Sequence, residues 1–90
     1  GTDYTETIQW CRQRGIRTIC ADVEATTSYT AIDWTASSAL LFGPESTGFT
    51  PEELAMADQR VTIPMKGSAE SLNVSVAAGI LLFEAARQRA

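Results

Sequence analysis

The sequence has no histidine, a single lysine (Lys66), two cysteines and no long apolar run. Without histidine, Ser–His–Asp triads and histidine-ligated metal sites are excluded. Cys11 and Cys20 have no third thiol or imidazole near them to complete a zinc set, and they form no CxxC pair. They read as small buried apolar side chains of a reducing compartment. Seven basic residues against eleven acidic ones leave a net charge of −4. That balance excludes a free-standing basic grip on nucleic acid, whose affinity would come from clustered lysine and arginine. The longest near-continuous apolar run, 74–83, is too short to span a bilayer. The Thr/Asp-rich start is no secretory signal. These absences predict a cytoplasmic chain with no metal and no membrane partner.

What is present describes one small α/β domain. Ninety residues, 44% hydrophobic and 20% charged, close one modest core and leave surfaces half covered. Residues 4–14 read as a helix, with Ile8 and Cys11 on one face and Gly15 as its stop. Residues 17–21 form a short strand. Residues 22–37 are Thr/Ser-rich and read as a loop with at most one turn, whose Tyr29 and Trp34 are expected to be pinned against another part of the fold. The apolar run 38–42 is a buried strand, ended by Gly43-Pro44. Thr50-Pro51-Glu52-Glu53 signals a helix start: Thr50 caps, Pro51 suits the first position and Glu53 completes a capping box. This helix is predicted to reach Asp58. A third strand is expected at 61–63, closed by Pro64, and a last helix from Ser71 or Leu72 to Gln88. Helices between buried strands favour a largely parallel sheet. No internal repeat, low-complexity segment or linker is visible.

The last helix is apolar nearly all round until Glu84, and such a helix must be covered all round. One side fits the sheet. The other predicts a homodimer contact through this helix.

Two loops follow strand ends, 43–48 and 64–71, where open α/β sheets bind ligands. Their glycines allow close approach to the backbone, and equally suit ordinary turns. Ser71 and Asn73 stand at the start of the last helix. Ser71 is a good N-cap, and both can aim polar groups at a ligand near the positive helix end. Glu45 is either a solvated turn residue or a carboxylate that orients a reacting group. A generic phosphate-gripping domain is disfavoured, since neither GxGxxG nor GxxxxGK[ST] occurs.

The string Leu40-Leu41-Phe42-Gly43-Pro44-Glu45-x-x-Gly48-Phe49, followed by Ile63-Pro64-Met65-x-Gly67-x-x-x-Ser71-Leu72-Asn73-Val74-Ser75-Val76-Ala77, closely resembles motifs 2 and 3 of the SpoU (TrmH-like) RNA ribose 2′-O-methyltransferases of the SPOUT superfamily. The closing stretch 83–89 is similar to that family's C-terminal helix. The resemblance covers most of the chain from about Ile32 onward.

The resemblance implies a trefoil-knotted α/β fold with a mostly parallel sheet, of which 1–90 is the C-terminal portion, and a homodimer through the C-terminal helix. It implies S-adenosyl-L-methionine as cofactor, with Gly43, Ile63 and Leu72 where main-chain groups hold it and Met65 on the same loop. It places Glu45, Ser71 and Asn73 at polar positions near the reacting centre. It implies methyl transfer to a ribose 2′-hydroxyl of tRNA or rRNA. The arginine that assists this chemistry in the family belongs to motif 1, upstream; none of Arg12, Arg14, Arg17, Arg60, Arg87 and Arg89 matches it. The alternative is a catalytically incomplete cofactor-binding or dimerisation fragment of such an enzyme. Residues 53–59 are most similar to tRNA-modifying members and 67–71 to ribosomal-RNA members, so both substrates stay open.

Overall fold

The first helix, α1 (Thr5–Gln13), forms where apolar side chains recur on one side: Ile8 and Cys11 are buried and Glu6, Gln9, Arg12 and Gln13 are exposed. Gly15 follows with φ of +69°, the left-handed conformation that ends helices and that other residues adopt at a cost. The chain then enters β1 (Arg17–Ala21), β2 (Ser38–Phe42), α2 (Pro51–Met56), β3 (Gln59–Val61) and α3 (Val74–Arg89). These bounds come from a computed structural model, which describes residues 4–43, 48–63 and 74–90.

The three strands form one parallel sheet in the order β2-β1-β3. Register decides which side chains share a face. Ile19 pairs with Leu40 and Gln59, and Ala21 with Phe42 and Val61. That face packs with Ile32, Trp34 and Leu81, so α3 covers it. Cys20 pairs with Leu41 and Arg60, and the face of Cys20 and Leu41 packs on Ile8, Tyr4, Phe49, Leu54 and Met56. Thus α1 and α2 cover the second side, giving an α/β/α sandwich with the sheet buried on both faces.

The helix start predicted at Thr50 is present as a full capping box. Its end differs: α2 stops at Met56, not Asp58. Ala57 is extended, with ψ of 147°, because Asp58 is tied to β1. The Asp58 N–H donates to the Thr18 carbonyl at 3.1 Å, and the Asp58 carboxylate accepts from the Thr18 N–H at 2.9 Å. The third strand also differs, at Gln59–Val61 instead of 61–63. Pairing with β1 sets its start. Thr62 pairs instead with the loop after β1: its N–H donates to Thr27 at 2.9 Å and its carbonyl accepts from Tyr29 at 3.0 Å.

The long loop 22–37 contains one 3₁₀ turn at Tyr29–Ala31. Trp34 is buried, and its indole N–H donates to the Tyr29 carbonyl at 2.8 Å. Both cysteines are free and buried. Burial, with the nearby charges of Asp22 and Glu53, pushes the Cys20 thiol up to about 11, which suits an inert core thiol. The expected starts of the last helix, Ser71 and Leu72, lie outside the described residues. Along α3, Ala77, Leu81 and Glu84 are buried, while Val76, Leu82 and Phe83 are exposed. No helix among the described residues is long and apolar enough to cross a membrane.

Candidate functional site at the C-terminal edge of the sheet

Because the strands are parallel, all three end at one edge. Ala21, Phe42 and Val61 stand side by side there, and Asp22, Gly43 and Thr62-Ile63 leave it. Gly43 and Ile63 therefore leave from the two outer strands, two strand spacings apart, or about 10 Å.

Gly43 opens a loop whose two stems touch. A Cβ built on Gly43 would lie 2.8 Å from the Gly48 carbonyl carbon and 2.9 Å from the Phe49 nitrogen. Both are backbone atoms, so nothing at that contact yields easily to a side chain. Gly48, at φ of +66°, takes the return turn. The far stem is fixed by Glu53, which is only 4% exposed. Its Oε1 accepts the Thr50 N–H at 2.8 Å, and its Oε2 accepts the Tyr4 N–H at 2.8 Å. Ile63 is half-buried against the Ile19–Leu81 core, and the chain before it is held by the Thr27–Thr62–Tyr29 bridge and by the Asp22 N–H donating to Val61 at 2.9 Å.

The charges of this edge are acidic. Asp22 Oδ1 accepts from the Glu24 N–H at 3.2 Å. Among the described residues, the nearest basic side chain is Arg60, one residue before the end of β3. Arg17 lies at the opposite edge and donates to the Asp33 carbonyl and, at 3.2 Å, to Ser38 Oγ. Such an edge suits a ligand held by main-chain groups better than one gripped through phosphate.

Of the sequence-predicted site residues, Gly43 and Ile63 share this edge. Glu45, Met65, Ser71, Leu72 and Asn73 lie outside the described residues. Tyr4 and the second hydrogen bond of Glu53 were not legible in the sequence. Glu53 announced itself through the capping box, whereas Tyr4 gave no local signal.

A polar clasp joins α3 to the long loop. The Trp34 N–H donates to Gln88 Oε1 at 2.8 Å, and Gln88 Nε2 donates to the Ile32 carbonyl at 3.0 Å. Arg89 Nε donates to the Trp34 carbonyl at 2.9 Å. Glu84 anchors the clasp by accepting from Arg87 Nε at 2.8 Å and from Gln88 Nε2 at 2.8 Å. The Arg87 hydrogen bond first, then that from Gln88, holds the Glu84 carboxyl down at about 2. Above the clasp, a hollow of about 400 Å³ opens between Tyr29 and the Val76, Gly79, Ile80 and Phe83 side of α3.

Comparison with known proteins gives this arrangement its relatives. A sequence profile described as the SpoU rRNA Methylase family matches residues 1–83. The chain is 42% identical over 88 residues to the tRNA (guanosine(18)-2′-O)-methyltransferase of Thermus thermophilus, covering 97% of this chain and 45% of that protein. It is 41% identical over 88 residues to the 23S rRNA (guanosine-2′-O-)-methyltransferase of Coxiella burnetii, covering 98% of this chain and 35% of that one. The crystal structure of the SpoU methyltransferase AviRb from Streptomyces viridochromogenes, in complex with AdoMet, superposes with a TM-score of 0.82 at 35% identity, over 93% of this chain and 35% of that one. The chain thus spans less than half the length of each of these relatives. With a family match over nearly its whole length, the chain belongs to the SpoU rRNA Methylase family.

Proposed function

We propose that the chain is the C-terminal, cofactor-holding portion of an S-adenosyl-L-methionine-dependent RNA ribose 2′-O-methyltransferase. One observation carries this reading: in a chain that matches the family over residues 1–83, the Gly43 loop at the C-terminal sheet edge closes so tightly that a Cβ there would meet backbone. The fit to the cofactor is chemical. S-adenosyl-L-methionine supplies a methyl group on a positively charged sulfur. An edge carrying Asp22 and Glu24, with main-chain groups at Gly43 and Ile63 and Arg60 as its one described basic neighbour, suits that charge.

In this reading the main-chain groups of Gly43, Ile63 and Leu72 hold the cofactor, with Met65 on the same loop. Glu45, Ser71 and Asn73 orient the ribose so that its 2′-oxygen is in line with the methyl group, because positioning is a large share of the rate in such transfers. The 2′-hydroxyl is a weak nucleophile and needs a group to assist its proton loss. Five of the six arginines are engaged elsewhere. Arg12 donates to the Met56 carbonyl, Arg14 stacks on Trp10, Arg17 holds Asp33 and Ser38, Arg87 pairs with Glu84 and Arg89 holds Trp34. Arg60, on β3, matches no family motif either, and the family resemblance, not this count, assigns the assisting arginine to motif 1.

The fold is proposed to be the trefoil knot of the superfamily. The partner is RNA, and an RNA-modifying role places the protein in the cytoplasm. Relatives named for tRNA and for rRNA match at 42% and 41% identity, so the substrate class is RNA of either kind. A homodimer through α3 is supported by Phe83 and Leu82, which are 76% and 63% exposed on a helix that already buries Leu81.

Calorimetry of the chain with S-adenosyl-homocysteine tests the site, and transfer of labelled methyl to tRNA or rRNA tests the activity. The expected result is cofactor binding without turnover by 1–90 alone. Turnover by 1–90 would overturn the assignment of the assisting arginine. A folded chain that self-associates and binds no cofactor would favour the second reading, a dimerisation fragment, which the exposed α3 side chains support.

A further inference from the structure

We propose that Tyr4 is a positioning residue for the 43–49 loop and thereby sets cofactor affinity, an inference that rests on the cofactor-holding role given to Gly43 above. Tyr4 lies far from that loop in sequence and outside the motifs, yet it reaches both stems. Its hydroxyl donates to the carbonyl of Phe42, the last residue of β2. Its ring packs on Phe49 with centroids 5.4 Å apart and planes tilted by 51°. Its backbone N–H donates to Glu53 Oε2 at 2.8 Å, and the other oxygen of that carboxylate takes the Thr50 N–H.

The first of these bonds acts directly on the proposed site. The Phe42 carbonyl and the Gly43 N–H belong to one planar peptide unit. A donor that fixes the direction of that carbonyl also fixes the N–H on its opposite side. The Tyr4 hydroxyl thus aims a Gly43 donor, while the ring and the Glu53 bond keep the returning stem over it. A Gly43 donor already aimed before a ligand arrives costs less to order, which strengthens binding without any new ligand contact.

A local rule broken at Tyr4 points the same way. Tyr4 is the N-cap of α1 and makes no side-chain capping bond, where Ser, Thr, Asp or Asn would stabilise the helix. The helix forgoes a cap, and the side chain serves the loop. Such local exceptions are expected at functional sites.

The test uses Tyr4→Phe in the full protein, which keeps the ring and removes the hydroxyl, and Tyr4→Leu, which removes the stacking as well. Three quantities are measured: affinity for S-adenosyl-homocysteine by calorimetry, amide hydrogen exchange across 42–50, and the melting temperature. For Tyr4→Phe the expected result is affinity weaker by about tenfold, the scale of one lost hydrogen bond. Exchange at Gly43 should be faster, with a melting temperature lower by a few degrees, the cost of one intramolecular hydrogen bond, and Tyr4→Leu should bind more weakly still. In a turnover assay, KM for the cofactor should rise while kcat at saturating cofactor holds, a split that general destabilisation would not give. Wild-type affinity and unchanged Gly43 exchange in Tyr4→Phe would overturn the proposal. If wild type binds no S-adenosyl-homocysteine, the reading of the site fails and the affinity role fails with it. Gly43 exchange in Tyr4→Phe then decides the remaining claim, that Tyr4 fixes the Phe42–Gly43 peptide: faster exchange upholds it, unchanged exchange overturns it.

Discussion

The two faces of the sheet are finished to different degrees. The face of Cys20 and Leu41 is closed by elements that each carry their own local stop signals: a glycine after α1, and a threonine cap with proline and glutamate before α2. Its buried polar groups are partnered, as with Glu53 between Tyr4 and Thr50 and Thr18 against Asp58. The face of Ile19 and Val61 is covered by a single helix that buries Leu81 but leaves Val76, Leu82 and Phe83 outside. That helix is held at its far end by hydrogen bonds more than by packing. The contrast teaches that one side of the domain is built to stand alone. The other leaves apolar side chains outside, and it is on this side that the proposed dimer contact falls.

The comparison is broken most directly at Leu81. Leu81→Ala removes a fully buried side chain and should cost about 2–5 kcal/mol in denaturant unfolding, because the surrounding core relaxes only partly into the space left. A cost under 1 kcal/mol would mean that α3 contributes little to the fold. Phe83→Asp, two positions along the same helix, should leave the unfolding free energy of the separated chain within about 0.5 kcal/mol. In sedimentation it should weaken self-association at least tenfold; unchanged association would place any dimer contact elsewhere. On the closed face, Thr50→Ala removes the cap of α2 and should cost about 1 kcal/mol, with faster amide exchange confined to the start of that helix.

The smallest effect expected is one of pH. The carboxyl of Glu84 titrates at about 2 when folded, against an ordinary 4.5, chiefly through Arg87 and then Gln88. A folded-state value below the unfolded one means that the contribution is complete above about pH 4.5 and is lost as pH falls from there toward 2. Thermal melts of Glu84→Gln should therefore show a flatter acid limb than wild type, with the two curves parallel above pH 5. An unchanged acid limb would mean that Glu84 is as exposed to titration in the folded chain as in the unfolded one.

Much of this architecture was legible because its causes are local. The strands at Arg17–Ala21 and Ser38–Phe42 appear where apolar runs meet turn signals, and the α2 cap is written in four consecutive residues. The third strand was misplaced by two residues because hydrophobicity favours Val61, Thr62 and Ile63. The hydrogen bonds instead recruit Gln59 and Arg60, whose neighbour β1 is distant in sequence. The end of α2 failed for the same reason, through a bond from Asp58 to a residue 40 positions away. Of the proposed site, the motifs named Gly43 and Ile63, which lie at one edge of the sheet. Tyr4 could not be read from them, because its role exists only once α1 lies against the end of β2.

The clasp at the end of α3 carries a consequence for how the chain folds. Gln88 bonds residues 54 and 56 positions before it, so these contacts close among the largest loops the domain makes. β1, the first strand in the chain, sits at the centre of the sheet, and both its neighbours follow it in sequence. Closing large loops is entropically slow, and their contacts come late. On this ground the order of assembly is expected to run from α1 and β1 outward, with the bonds of Gln88 and Arg89 closing late and opening early. Loosening those bonds speeds unfolding far more than it slows folding. Substitutions at Gln88 or Arg89 should therefore shorten the lifetime of the folded chain more than they delay its formation.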